Sequence, residues 1–104
     1  MNLEEQLLEE MGKLGPFRWK RMFGLQAVLI DGKLMGGYRV VDEGILYIML
    51  ILSKDGFEQA IKSGVLSKFE FGKTWVEGEL SSEEDLVQML PHIKASYLFV
   101  KSKK

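Results

Sequence analysis

The feature that most constrains the fold is an unbroken apolar run, ILYIMLIL, at positions 45–52. The run is far shorter than the roughly 20 residues that a membrane-spanning helix needs. A strand with one face in water alternates apolar and polar residues, whereas a strand buried on both faces reads as a continuous apolar run. The pattern therefore predicts a central strand that is covered on both faces, by helices or by a second subunit.

Turn signals place two further strands before this run. The segment MFGLQAVLI at 22–30 leads into Asp-Gly at 31–32, the strongest two-residue hairpin signal, because both turn positions take positive φ. The segment KLMGGYRVV at 33–41 leads into Asp-Glu-Gly at 42–44, which fits a three-residue loop with a left-handed glycine. The three apolar runs predict an antiparallel meander. The glycine pair at 36–37 predicts a bulge or a close approach of two backbones.

Three segments around these strands carry helix signals. Apolar residues recur at helical spacing over residues 2–13, opposite a row of glutamates. A short helix over about 53–64 follows the central strand, with a serine or aspartate as its cap and a glycine at its end. Ser-Ser-Glu-Glu at 81–84 is a capping-box pattern that begins a last helix, which Pro91 is expected to break or kink.

Two shorter strands are predicted before the last helix. SKFEF at 67–71 and TWVEGEL at 74–80 flank Gly-Lys at 72–73, a type II′ hairpin signal. The order of elements is thus α-β-β-β-α-β-β-α. A chain of 104 residues has the size of one domain. We expect residues 1–104 to form a single α+β domain, with a five-stranded, mostly antiparallel sheet packed with helices.

Composition narrows the classes of protein to which the chain belongs. It contains no cysteine, which excludes disulfides, thiolate metal sites and cysteine nucleophiles. Its net charge of −1 provides no global basic field that would recruit nucleic acid. The chain opens on an acidic amphipathic segment rather than on a signal peptide. These features predict a cytoplasmic protein that does not enter a membrane.

Patterns for catalysis and metal binding are weak. His92 is the one histidine, and no serine or cysteine partner is visible by motif. Glu77 and Glu79 alternate on one strand, which is more typical of a solvated strand face than of an acid–base pair. No cluster has the spacing of metal ligands. We therefore expect a protein that is not an enzyme and that needs no cofactor or metal.

The stretch RWKRMFG at 18–24 interleaves cations with an aromatic residue. In one interpretation the cations contact phosphates and the tryptophan stacks on a base. In the other interpretation the stretch leads into a buried strand, with its aromatic rings packed and its cations in water. The candidate contacts to nucleic acid or to a protein partner are Lys13, Arg18, Trp19, Lys20 and Arg21.

A small-molecule pocket between the sheet and the helices is a further hypothesis. Pockets of this kind are mostly apolar and contain a few polar groups that orient the ligand. The candidate lining, chosen for its aromatic rings and one cation, is Trp19, Tyr38, Arg39 and Trp75.

Several short motifs match those of a known family. The matching positions are Lys20, Arg21, Met22, Phe23, Gly24, Asp31, Gly32, Leu46 and Tyr47. Over residues 18–66 they resemble the N-terminal domain of the TfoX/Sxy regulators of competence. The chain departs from that pattern at Leu25, where a second glycine is usual, at Met49, where lysine is frequent, and over 74–80, which lacks the usual tyrosines. The C-terminal third is similar to the YjbR group of small bacterial proteins, with matches at Trp75, Ser96 and Tyr97.

The resemblance implies a fold and a class of function. Both groups share the α-β-β-β-α-β-β-α order and are similar to type III secretion chaperones. Full-length TfoX/Sxy proteins promote transcription of competence genes together with the cyclic-AMP receptor protein. We therefore expect a non-enzymatic regulatory or binding module that acts through protein–protein contacts, with a homodimer as one form. The alternatives are weak nucleic-acid binding through Lys13, Arg18, Lys20 and Arg21, and small-molecule binding.

Overall fold

Three helices and six strands follow one another in the computed structural model, which describes residues 2–103. The α+β character predicted from the sequence is confirmed. In chain order the elements are α1 (Leu3–Leu14), β1 (Arg18–Met22), β2 (Leu25–Ile30), β3 (Lys33–Asp42), β4 (Ile45–Ile51), α2 (Lys54–Ser63), β5 (Ser67–Lys68), β6 (Trp75–Leu80) and α3 (Glu83–Lys101).

The strands form one antiparallel sheet in the order β1-β2-β3-β4-β6-β5. The prediction of five strands was wrong because the segment 22–30 is not one strand. Phe23 and Gly24 have φ angles of 55° and 72° and form a two-residue turn. The turn folds residues 18–22 back onto β2 as an edge strand. The basic stretch is therefore part of the sheet and not a lead-in to it.

One of the predicted turns is confirmed, one is confirmed in part and one is wrong. Asp31 and Gly32 take φ angles of 52° and 81°, as their hairpin requires. Gly44 is left-handed as predicted, with φ of 76°, but Asp42 pairs with Ile45, so the loop has two residues and not three. Gly72 does not form a two-residue turn, because the chain passes from β5 to β6 through residues 69–74. A Cβ atom at Gly72 would overlap the indole ring of Trp75. The glycine is thus explained by ring packing and not by turn geometry.

The helix ends follow the capping signals, with one exception inside α3. Asn2 and Glu5 form a capping box, and Ser53 and Ser82 cap the two later helices. The predicted break at Pro91 is wrong, since α3 continues to Lys101. A proline removes one helical hydrogen bond, and apolar residues of α3 that are buried in the core on both sides of Pro91 hold the helix in place.

All three helices pack on one face of the sheet, which we call the helix face. The even-numbered residues of β4 and its extension, Leu46 to Leu52, belong to the core that the helices cover. The odd-numbered ones, Ile45 to Ile51, lie on the opposite face, because successive side chains of a strand alternate. Among residues 2–103 no helix packs on that face, which we call the open face. The apolar run is thus covered by helices on one side only.

The buried hydroxyl of Ser96 joins α3 to the sheet. Its Oγ lies 2.7 Å from the carbonyl oxygen of Ile51 and 3.1 Å from that of Met35, and the residue is fully buried. The neighbouring Tyr97 donates a hydrogen bond of 3.0 Å to the carbonyl oxygen of Pro16. The Ser-Tyr pair that resembles the YjbR group therefore anchors the last helix.

Replacing Ser96 with alanine should destabilise the fold by about 1–3 kcal/mol, because the buried carbonyl oxygens of Ile51 and Met35 lose the single O–H donor that they share. Urea unfolding at fixed protein concentration would measure the effect. The control is Ser102→Ala, which removes an exposed hydroxyl bonded only to the carbonyl of Phe99 in the last turn of the same helix. Equal stability of the two variants would contradict an anchoring role for Ser96.

Candidate functional site

The open face contains a groove of about 480 Å³. Four strands contribute to it together with the β1–β2 turn and the connection from β5 to β6. The open-face groove is lined by Phe23, Leu25, Arg39, Tyr47, Met49, Phe69, Phe71 and Trp75. A groove of this size admits several side chains of a partner or a small ligand.

The groove has a buried apolar floor and exposed aromatic edges. Leu25 and Met49 lie on its floor and are almost fully buried. Phe69 packs against both Trp75 and Phe71, with ring centroids 5.7 and 5.8 Å apart. Phe23 and Phe71 are 79% and 80% exposed and are the two most exposed large apolar side chains among those that the structure describes. Such rings gain most from contact with another surface.

The polar groups of the groove are few and oriented. The Tyr47 hydroxyl donates a hydrogen bond of 2.7 Å to Oε1 of Glu77. Burial raises the pKa of Tyr47, and its bond to Glu77 raises it further, so the hydroxyl stays protonated at neutral pH. The guanidinium carbon of Arg39 lies 5.2 Å from the centre of the Tyr47 ring. Within residues 2–103 Arg39 forms no salt bridge, so its charge is available to a partner.

Charge is graded across the open face. Strand register aligns Lys20, Ala27, Gly37, Met49, Glu77 and Ser67 in one row that crosses all six strands. Directly paired residues share a face, so Lys20 lies at the β1 edge and Glu77 lies on β6. By the same alternation Arg18 accompanies Lys20, and Glu79 accompanies Glu77. The open face is therefore cationic along β1, acidic along β6 and mostly apolar between them, with the exposed Arg39 on β3 as a further cation.

The structure does not bring the predicted contact residues onto one surface. Arg18 and Lys20 lie on the open face, whereas Trp19 and Arg21 alternate to the helix face. Trp19 packs there between Phe17 and Tyr38, with ring centroids at 5.4 and 5.9 Å. Lys13 lies on α1 and forms an ion pair of 2.9 Å with Glu10. Charged side chains on an exposed edge strand hinder its pairing with strands of other chains, and the cations on β1 are consistent with that role.

The predicted pocket residues also lie on both faces of the sheet. Tyr38 lies on the helix face, donates a 2.6 Å hydrogen bond to Glu4 and stacks on Trp19. Arg39 and Trp75 line the open-face groove. A void of about 10 Å³ remains beneath the helices, no more than one water needs. The four residues do not share a pocket, and the space between sheet and helices is filled by side chains.

The family-motif positions have structural places in the fold. Phe23-Gly24 and Asp31-Gly32 form the two tight turns, and Leu46 lies in the core. Met22 ends β1, where it pairs with Leu25. Of the motif residues, Phe23 and Tyr47 line the groove. The sequence analysis did not identify Leu25, Met49, Phe69 and Phe71 as site residues. The alternation of side chains along β4 could have placed Met49 on the face opposite the even-numbered residues.

No three histidine or acidic side chains of residues 2–103 lie together as metal ligands would. His92 lies half-buried on α3, where burial lowers its pKa. No described helix has the length and apolar character needed to cross a membrane.

A scan of the chain against protein-family models gave no match, and searches of curated proteins and of solved structures gave none either. The resemblance to the TfoX/Sxy N-terminal domain remains a hypothesis based on the motifs named above.

Proposed function

We propose that this protein is a non-enzymatic binding module that acts through protein–protein contacts made by the open face of its sheet. The observation that carries the proposal is the pair of phenylalanines, Phe23 and Phe71, each about 80% exposed beside an apolar groove. Burying one such side chain contributes roughly 1.5–3 kcal/mol. A surface that exposes two such side chains therefore gains free energy when a partner covers it.

The shape of the groove favours a protein over a small ligand. Phe23 belongs to the β1–β2 turn and Phe71 to the connection between β5 and β6, and both rings line the groove while remaining largely exposed. A partner surface that extends beyond the groove covers the exposed parts of both rings, which a ligand confined to the groove does not. Aromatic anchors around a partly apolar centre are typical of protein interfaces.

The resemblance to TfoX/Sxy supports a regulatory role for such contacts in the cytoplasm, including control of transcription through a protein partner. Direct nucleic-acid binding has less support, because Trp19 and Arg21 lie on the face opposite Arg18 and Lys20. Two or three phosphate contacts would sustain only weak binding that salt abolishes.

Site-specific photocrosslinking in cells of the source organism tests the proposal. The photoreactive residue p-benzoylphenylalanine would replace Phe23 or Phe71, one at a time. The matched controls are Val87 and Leu98, which are also more than half exposed but lie on α3. We expect protein adducts from positions 23 and 71 and none from positions 87 and 98, with adduct masses identified by mass spectrometry. Adducts that form equally at all four positions, or only on α3, would refute the open face as the contact surface.

A further inference from the structure

We infer that the partner of the open face is a second copy of this chain, paired face to face about a twofold axis that runs parallel to the strands. This inference rests on the proposed function, since it names the occupant of the same surface. It follows from the distribution of charge across the face, from the apolar strip between the charges and from the area that the face offers.

The charges distinguish between two ways of stacking two identical sheets. If the twofold axis runs perpendicular to the strands, the cationic β1 edges of the two copies meet each other. If the axis runs parallel to the strands, β1 of one copy lies over the β6 side of the other, so Arg18 and Lys20 approach Glu77 and Glu79. Opposed like charges are destabilising and opposite charges are favourable across an interface. In both arrangements Arg39 of β3 lies over β3 of the other copy, so it does not distinguish between them. The charges of β1 and β6 are therefore complementary only about the parallel axis.

The register strengthens this arrangement. Rotation about an axis parallel to the strands leaves each residue at its own level along the sheet. Lys20 and Glu77 occupy the same row, which also contains Ala27, Gly37 and Met49. Lys20 of one copy thus lies level with Glu77 of the other, and both pairs form at once because the contact is isologous.

The area of the face is sufficient for a weak dimer. When β1 lies over β6, five strands overlap, β1, β2, β3, β4 and β6, and with an average of about seven residues of 3.4 Å rise and a spacing of about 4.8 Å they span roughly 19 by 23 Å. Two such faces bury about 900 Å² in total, the size of a weak or transient interface. The exposed rings of Phe23 and Phe71 add to this area. We expect a concentration-dependent dimer that dissociates at micromolar concentration.

Charge reversal tests the pairing. Sedimentation velocity over a dilution series at low ionic strength would give the dimer dissociation constant. Arg18→Glu with Lys20→Glu should weaken the dimer at least tenfold, because an acidic edge then faces an acidic strand. Adding Glu77→Lys and Glu79→Lys to the same chain should restore it. Lys62→Glu with Lys94→Glu, the same change of net charge on exposed helix positions, should have little effect.

A crosslinking measurement gives a geometric test that does not depend on energies. The native chain lacks cysteine, so a chain carrying Lys20→Cys and Glu77→Cys reacts with a bismaleimide only at those positions. Four strand spacings, roughly 19 Å, separate them within one copy, whereas stacked sheets lie about 10 Å apart. A bismaleimide with a span of about 10 Å, which matches that spacing, should yield a covalent dimer. The chain with Lys20→Cys alone should give no covalent dimer.

The outcomes separate this inference from the proposed function. A protein that is monomeric at every concentration overturns the inference, and so does a dimer that responds to neither charge reversal. A covalent dimer of the chain with Lys20→Cys alone would contradict a twofold axis parallel to the strands. If the purified chain is monomeric while the photoreactive residue at 23 or 71 captures a different protein, the proposed function stands and the identity of the partner is refuted. If those positions capture nothing, both proposals fail.

Discussion

Replacing Gly36 with alanine is expected to destabilise the fold by about 3 kcal/mol or more, a large share of the 5–15 kcal/mol that stabilises a typical domain. Gly36 lies in β3 with φ of 154°, a conformation that residues with a Cβ atom rarely adopt. An added Cβ would overlap the carbonyl oxygen of Met49 and come within 3.0 Å of the Leu50 Cα. Both neighbours are backbone atoms of the central strand, so they cannot move without disturbing the sheet.

Urea unfolding of Gly36→Ala at fixed protein concentration would measure this loss. Gly12→Ala is the matched control, because a Cβ there meets nothing within 4 Å. Gly12 lies inside α1, where alanine is favoured over glycine by about 0.8–1 kcal/mol. The same substitution should therefore lower stability at position 36 and raise it at position 12. Two changes of equal sign would contradict the close approach of β3 and β4.

Replacing Leu50 with alanine should cost about 2–5 kcal/mol, the range for a leucine removed from a packed core. Leu50 is 2% exposed and lies on the helix face of β4, where it belongs to the core. The cost has two sources, the lost transfer of the side chain from water and the cavity that remains. Thermal or urea unfolding would measure it, and the loss should not depend on protein concentration.

Leu98→Ala is the control for the same chemical change on the surface. Leu98 lies on α3 and is 54% exposed, and alanine is the best helix former. Its substitution should alter stability by no more than about 0.5 kcal/mol. A similar loss at both positions would show that the even-numbered residues of β4 do not face the core.

Local signals in the sequence predicted most of the elements. The Asp31-Gly32 turn, the cap at Asn2 and the end of α2 at Gly64 each depend on residues within a few positions of one another. Such features involve intrinsic backbone preferences and hydrogen bonds between near neighbours. At these positions the tertiary structure agrees with the local preference, so the sequence was sufficient to predict them.

The wrong predictions share one physical cause, which is that side-chain packing and strand pairing outweighed a local backbone preference. Phe23 was expected to begin a buried strand, yet it occupies a turn at positive φ and is largely exposed. Gly72 was expected to form a turn, and it instead makes room for Trp75. Pro91 was expected to interrupt a helix that its core contacts keep continuous. None of these outcomes is visible in the local propensities.

The residues of the candidate site were likewise predicted only in part. The sequence analysis named Arg39 and Trp75 for a pocket between the sheet and the helices, and they instead line the groove on the open face. It could not predict that strand alternation in an edge strand separates Trp19 and Arg21 from Arg18 and Lys20. That separation depends on the existence of β1, which in turn depends on the Phe23-Gly24 turn.

By itself the sequence determined the class of the fold, the order of its main elements and the presence of a central apolar strand, because periodicity, caps and glycine turns are local properties. Only the tertiary structure decided which face of that strand the helices cover. An eight-residue apolar run has the same sequence whether helices lie on one side or on both. The placement of all three helices on one face leaves the groove, the exposed rings and the graded charges together on the other.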